Sequence, residues 1–330
     1  MSIAWTDGLD ALPDAPWTDV LSRSRRPSPF LSPPFLRPWA ASFAADRGPR
    51  VARWERNGRV DELLFLCRRP ADPGWELLGG EDVADVLDAV VADGLERDFW
   101  AAFLGSAADL LSDGPLVLPN VVDGSATLPA LVELCAGAGL ALRVAETDRA
   151  PYVPLPASFD AYLEALGSKE RHELRRKMRR AEAALPGLSF RTSASPDELS
   201  RDLSVFIDLH RRSSPAKRAF MTDRMAAFFR ETAARFFALG QLRLSILSGD
   251  RGEAAAAFQI ESGGVRMLYN SGFDPDVRGA NPGVVLVAHS IREAIDRGLG
   301  EFDFLRGTER YKYDLGGRDR AVYRAVIEAS

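Results

Sequence analysis

The densest chemistry in this chain lies near its end, in Glu301-Phe302-Asp303-Phe304-Leu305-Arg306-Gly307-Thr308-Glu309-Arg310-Tyr311-Lys312-Tyr313-Asp314-Leu315-Gly316-Gly317. Alternating Phe302 and Phe304 predict a strand, and Asp303, Arg306, Glu309, Arg310 and Lys312 then crowd into ten residues before the glycines stop it. Four lysines (Lys169, Lys177, Lys217, Lys312) stand against thirty-eight arginines. In a sequence so biased toward arginine, Lys312 reads as a specific choice, because an ammonium is a compact charge that can hold an oxyanion or lose a proton. Asp303 and Glu309 are the carboxylates that would take a proton from an attacking amine or hydroxyl.

A second concentration is Lys169 to Arg180, with seven bases and two acids. Arg171, Arg175 and Arg179 repeat every four residues and so share one helix face, a stripe suited to the phosphates of a nucleotide sugar, a lipid carrier or tRNA. No aromatic residues interleave with these charges, so a stacking platform for single strands is not expected, and neither is DNA. Of the three histidines, His172 and His289 lie within helical patterns and His210 precedes Arg211-Arg212. No pair has metal-ligand spacing and there is no Gly-x-Ser-x-Gly elbow, so neither a metal nor triad hydrolysis is expected. His210 is the histidine to test as a substrate contact. Cys67 and Cys135 sit in apolar segments without paired spacing and read as buried thiols.

These residues must be positioned by two domains, since 330 residues exceed one ordinary core. No apolar run approaches the ~20 residues that span a bilayer, and the first residues lack a basic start followed by an apolar stretch, so a cytoplasmic protein without membrane insertion is expected. Residues 1–150 hold 23 acids and 14 bases, whereas 151–330 hold 24 acids and 28 bases, so an anionic ligand suits the second half. In the first half, Asn57-Gly58 joins Val51–Glu55 to Val60–Cys67 as a hairpin. A strand at Trp75–Leu78, a helix over Glu81–Asp93, a helical stretch over Leu95–Leu111, a strand at Leu116–Leu118, a helix over Leu128–Ala136 and a strand at Leu140–Ala145 follow. The prolines of 151–156 make the junction, after which Ser158 caps a long helix to about Leu185. A strand at Leu188–Thr192, helices over Pro196–Arg212 and Met221–Leu239, and a meander at 241–247, 253–261 and 265–271 come next. The helix Val284–Arg297, the strand of the opening segment and a last strand, Ala321–Glu328, complete the second half.

That order of elements, with a glycine-containing loop between a long strand and a helix, resembles the GNAT acyltransferase fold. Tyr269-Asn270-Ser271-Gly272-Phe273-Asp274, Asn281-Pro282-Gly283, Gly298, Asp303-Phe304-Leu305-Arg306-Gly307 and Tyr311-Lys312 are similar to the GNAT-like acyltransferases once linked to cellulose biosynthesis (CelD-like). In the first half, Leu78-Gly79-Gly80-Glu81-Asp82-Val83-Ala84-Asp85 also looks like that family. These proteins are related to the Fem-type peptidyl transferases, which carry two GNAT-like domains in tandem. The resemblance implies an α/β chain of two tandem GNAT-like domains with mixed, largely antiparallel sheets: 1–150 degenerate and on the acceptor side, 151–330 on the acyl-donor side, with the acceptor held in the cleft between them.

The resemblance also implies roles. GNAT strand and loop amides bind the pyrophosphate of acyl-CoA, which here falls to Arg278, Gly279, Asn281, Gly283 and Val284, although only Arg278 and Gly283 keep register with the Q/R-x-x-G-x-G/A loop. The Fem-type aromatic-lysine pair falls on Tyr311 and Lys312, with Asp303 completing the catalytic set. Arg171, Arg175, His210, Tyr269 and Arg306 form the substrate-binding set. The expected function is transfer of an acyl group, acetyl foremost, from acyl-CoA to an amine or hydroxyl of a small molecule or glycan precursor. Aminoacyl transfer from tRNA and a non-catalytic binding module are the alternatives.

Overall fold

The computed structural model describes residues 3–56, 58–277 and 279–329. Asn57 of the expected hairpin turn and Arg278 of the expected donor loop lie outside the described residues. The chain divides into two compact units, Met1–Asp148 with Arg320–Ser330, and Arg149–Asp319.

The first unit contains β1 (Ala4–Asp7), α1 (Asp14–Arg23), α2 (Pro33–Phe43), β2 (Arg50–Arg56), β3 (Arg59–Arg68), β4 (Trp75–Leu77), β5 (Val90–Val91), α3 (Glu96–Ser106), α4 (Ala108–Ser112), β6 (Leu116–Val122), α5 (Thr127–Gly137) and β7 (Leu140–Arg149). The second contains β8 (Tyr152–Pro154), α6 (Phe159–Ala165), α7 (Ser168–Ala184), β9 (Ser189–Thr192), α8 (Pro196–Ser213), α9 (Pro215–Phe220), α10 (Asp223–Ala238), β10 (Leu242–Gly249), β11 (Gly252–Ser262), β12 (Val265–Phe273), α11 (Pro282–Asp296), β13 (Glu301–Asp303) and α12 (Arg310–Asp314). The last strand, β14 (Ala321–Ala329), pairs antiparallel with β6 and completes the first sheet, in the order β1-β2-β3-β4-β6-β14-β7 with β5 beside β3. The sequence reading gives this strand to the second half. Its buried Val322, Ala325 and Ile327 instead complete the first core, beside Val122, Leu118 and Leu116 of the fully buried β6.

The helix expected over Glu81–Asp93 is absent: the segment is a series of turns leading to β5. Gly79 and Gly80 adopt φ of +131° and +71°, positive angles that favour glycine. Asn120, 39 residues away from Glu81, donates its side-chain amide to the carbonyls of Glu81 and Ala84, which a helix would need for its own ladder. The Asp88 carboxylate accepts bonds from Ala89 N–H, Ser125 and Thr127. Of the periodic apolar residues Val83, Val86, Leu87 and Val90, the last two are buried and the first two half-buried, so their spacing reports partial burial and not helix.

In the second unit the sheet runs β8-β13-β12-β11-β10-β9, antiparallel except for β12 with β13. Ser158 caps α6 by accepting the Ala161 N–H, as its position predicts. The long helix expected from there breaks at Gly167, where a Cβ would lie 2.3 Å from the Glu170 carboxylate. One face of α11 supplies Val285, Leu286, Ala288, Ile291, Ala294 and Ile295 to the core. Fully buried Arg266 on β12 pairs with Glu261 on β11 and Glu293 on α11, tying strand to helix. Breaking such a buried pair costs about 3–5 kcal/mol. Among the described residues no helix is long and apolar enough to cross a membrane.

Candidate functional site: the open edge of β12

β12 pairs along its length with β11, but β13 covers its other edge only at Val265–Met267. Beyond that point no strand among the described residues takes the outer edge. Phe258 faces Asn270 while Gln259 faces Leu268, so Tyr269 is an extra residue, a bulge that bends the strand where its edge opens. The end of α8 and the start of α9 come against this edge. They do so because residue 272 is glycine: a Cβ there would lie 2.3 Å from the His210 backbone nitrogen.

Four polar contacts fix this approach. Ser213 Oγ accepts the Phe273 N–H at 2.8 Å. The Lys217 ammonium donates to the Ser271 carbonyl at 2.5 Å, and Ser214 caps α9 by accepting the Lys217 N–H. His210 Nε2 lies 3.0 Å from Asn270 Oδ1, which places the ring proton on Nε2 and leaves Nδ1 as an acceptor. His210 is 1 % exposed and Nδ1 has no hydrogen-bond partner. Burial first, then the Lys217 charge, pull its pKa down to about 4, so the imidazole is neutral across the physiological range. Lys217 is itself pushed below the usual lysine range by burial, with the Glu309 charge acting in the opposite direction.

The segment that opened the sequence reading supplies the other side. β13 ends at Asp303, whose carboxylate accepts the Leu305 N–H at 2.8 Å and holds Leu305 at φ +59°. The chain then turns through Gly307, at φ +104°, into α12. Tyr311 and Lys312 therefore sit on a short helix and not on the expected strand end. The Lys312 ammonium, 3 % exposed, donates toward the carbonyls of Leu305 (3.1 Å), Arg306 (2.5 Å) and Gly307 (3.1 Å) and pairs with Glu309 at 3.0 Å. An ammonium has three N–H groups, and four acceptors already surround this one. Lys312 is thus the organiser of the 305–309 loop rather than an ammonium with donors to spare. Asp303 is likewise engaged in shaping the turn. Tyr311 packs edge-on to Phe304, and burial together with the Glu309 charge raises its pKa, so it stays protonated.

The remaining predicted residues divide. Tyr269 stacks on Phe229 behind the bulge, and Arg306 contributes its backbone carbonyl to Lys312. Gly279 (φ +82°) and Asn281 (φ +48°) lead into α11, and a Cβ on Gly283 would touch the Phe273 ring at 3.4 Å, so this loop abuts the end of β12. The N–H groups of Gly283 and Val284 lie at the open start of α11, while Pro282 contributes none. Arg171 and Arg175 lie on α7, the first half-buried and the second exposed, with no ion pair among the described residues. No described contact brings them to β12. Asn270, Ser213 and Lys217 carry the site without having been assigned roles. Lys217 was the one within reach, since the scarcity of lysine that singles out Lys312 applies to it equally.

A depression of about 400 Å³ opens beside these contacts, lined by Arg212, Ser213, Ser214, Pro215, Arg218 and Ala219. Arg212 neutralises Asp274 at 2.8 Å and Asp276 at 3.6 Å next to the α11 loop. Among the described residues no group of three or more His, Cys, Asp or Glu side chains could hold a metal ion. The arrangement joins a buried neutral imidazole, an ammonium with one described hydrogen bond and an open strand edge. Those are the parts needed to deprotonate a nucleophile and to hold a developing oxyanion.

Residues 168–313 match the family model of the acetyltransferase (GNAT) domain, from the first residue of α7 into α12. Among solved structures the chain is similar to FemX, with a TM-score of 0.68 and 11 % identity over 98 % of this chain and 96 % of that one. It is also similar to the C-terminal domain (DUF2156) of a putative lysylphosphatidylglycerol synthetase from Agrobacterium fabrum, with TM-score 0.59 and 15 % identity over 94 % and 90 % of the two chains. A tandem GNAT protein from the clavulanic acid biosynthesis pathway matches with TM-score 0.50 and 14 % identity over 98 % of each chain. No curated protein sequence matches. The fold is that of two GNAT-like domains in tandem, and the match to the acetyltransferase (GNAT) domain model falls within the second unit.

Proposed function

We propose that this chain is an N-acyltransferase that moves an acyl group other than aminoacyl, acetyl foremost, from acyl-CoA to the amine or hydroxyl of a small molecule or glycan precursor. The observation that carries the reading is the open edge of β12 at its bulge, met by the buried His210 imidazole through Asn270 and by the Lys217 ammonium at Ser271. In this reading the acceptor attacks the thioester carbonyl and its proton passes to His210 Nδ1. The Lys217 ammonium, which spends one donor on Ser271, turns another toward the carbonyl oxygen as it becomes negative. Collapse expels the CoA thiolate, which recovers the proton from the imidazolium. Lys312 and Asp303 are positioning residues that fix the 305–309 loop and, through Glu309, the field at Lys217. The N–H groups of Gly283 and Val284, with the loop of Gly279 and Asn281, are assigned to the donor's phosphates. The CelD-like resemblance and a role in polysaccharide or cell-envelope synthesis belong to this reading.

One observation favours a second reading, aminoacyl transfer from tRNA. Asn281 stands at a left-handed position where the acetyltransferase loop has glycine, and Pro282 removes a donor, leaving fewer amides for a pyrophosphate. The unpaired arginines of α7 would then meet the tRNA backbone. Calorimetric titration with acetyl-CoA and with charged tRNA separates the two. The first reading requires acetyl-CoA binding that weakens on Lys217→Met, with acylated product in the presence of acceptor amines; salt-sensitive tRNA binding without acetyl-CoA binding would replace it by the second. Binding of neither donor would leave the non-catalytic module.

A further inference from the structure

The edge strand β7 of the first unit is exposed along both faces, and no strand among the described residues pairs with its outer edge. Its first half is not protected as edges usually are, by charge on the open face. Leu140, Leu142 and Val144 point to one face and, with Val132, Cys135 and Ala136 of α5, line a groove of about 410 Å³. Val132 and Val144 are 62 % and 41 % exposed, two of the three large hydrophobic residues exposed among the described residues. On α5, Leu128, Val132 and Ala136 repeat every four residues, so the stripe a solvated helix would fill with polar side chains is apolar.

We propose that this edge is a homodimer interface, in which β7 of one copy pairs antiparallel with β7 of a second and the two sheets become continuous. The occupant follows from the symmetry of the strand. In an antiparallel pair, directly opposed residues share a face, and a two-fold axis perpendicular to the sheet passes through the centre of the register. Centred on Leu142, the register sets Leu142 on Leu142 and Leu140 on Val144, an unbroken apolar seam. Centred on Arg143, it opposes two arginines, which is unfavourable. Centred on Val144, it sets Leu142 against Glu146. Only the first register keeps Glu146 and Asp148 beyond the paired stretch, and the guanidinium of Arg143 already has Glu328 at 2.7 Å on its own sheet. The same axis leaves both α5 helices on one side of the joined sheet, where Val132 of each covers the seam.

Sedimentation equilibrium of the full chain should give twice the chain mass at micromolar concentration, with Val144→Lys and Val132→Glu each raising the dissociation constant about tenfold or more. Both side chains are exposed, so the variants should keep the circular-dichroism spectrum of the parent, and any fall in melting temperature should be no more than the lost association explains. Leu142→Cys should oxidise to a disulfide-linked dimer and Val144→Cys should not, because in this register residue 144 faces residue 140. A monomer at all concentrations up to about 100 µM overturns the proposal, as does a dimer indifferent to the substitutions at 132 and 144 or one cross-linked through residue 144 but not 142. Capture of a foreign strand by a monomer would equally remove the second copy as the occupant.

Discussion

Replacing Lys312 by Ala removes the group on which the carbonyls of Leu305, Arg306 and Gly307 converge. One of the three contacts is buried and two are partly buried, so a loss of about 1 kcal/mol each is the scale, about 3 kcal/mol in all. For a unit of about 170 residues, each kcal/mol moves the midpoint by about 2–4 °C. The expected fall in melting temperature is therefore about 6–12 °C, followed by circular dichroism and repeated in urea. Lys217→Met is the companion. Its ammonium has one described hydrogen bond, to Ser271, at a partly buried site, so stability should fall by about 1 kcal/mol while turnover falls by about a hundredfold or more, the scale of losing an oxyanion donor. The two lysines thus separate by which quantity suffers more. A Lys312→Ala protein that melts within 2 °C of the parent, or a Lys217→Met protein with undiminished turnover, would refute the assignment of roles.

Two further substitutions probe the same edge. Gly272→Ala places a methyl 2.3 Å from the His210 backbone, so α8 must move off β12; a loss of about 1–3 kcal/mol is expected in urea titration, together with weakened donor binding. His210, held near pH 4 when folded against 6.5 ordinarily, binds its proton more readily in the unfolded chain. Its contribution to stability is complete above pH 6.5 and is lost as the pH falls toward 4, by at most about 3 kcal/mol. Fully buried Glu62, raised to about 7 from 4.5, contributes in the opposite sense, its stabilisation complete below pH 4.5 and lost as the pH rises toward 7. The measurement is accordingly a difference: His210→Phe should flatten the parent's acid limb between pH 4 and 6.5 and leave the Glu62 component in place.

What the sequence makes legible is what neighbours decide. Glycine-bearing turns delimit the β10-β11-β12 meander, Asn281-Pro282 announces α11, and Ser158 caps α6 as its position requires. What it hides is decided at a distance. The turns after Gly80 exist because Asn120 takes their carbonyls, and nothing in the periodicity of Val83, Leu87 and Val90 distinguishes a buried turn from a buried helix. The bulge at Tyr269 has no local signature. The described partner of the Asn270 side chain comes from α8, sixty residues earlier, so a reading along the chain finds the histidine without its contact and the strand without its edge.

Lysine scarcity turns out to be informative, but about a pair. Lys312 and Lys217 address the same carboxylate: Glu309 bonds the first at 3.0 Å and its charge acts on the second. Two ammonium groups and one carboxylate leave one positive charge in a partly desolvated place, where it counts for far more than in water. The surrounding backbone decides which ammonium carries it. Around Lys312 the loop has turned three carbonyl dipoles inward, and with Glu309 they absorb its donors. Lys217 meets a single described carbonyl, that of Ser271 on the open strand edge, and in the proposed mechanism its remaining donors serve the substrate. Arginine could not replace either residue: its planar fork matches neither a convergent nest of three carbonyls nor a point contact on an oxyanion. The loop therefore holds one lysine for structure and, by fixing Glu309, sets the field at the other, the one the proposed mechanism assigns to the oxyanion.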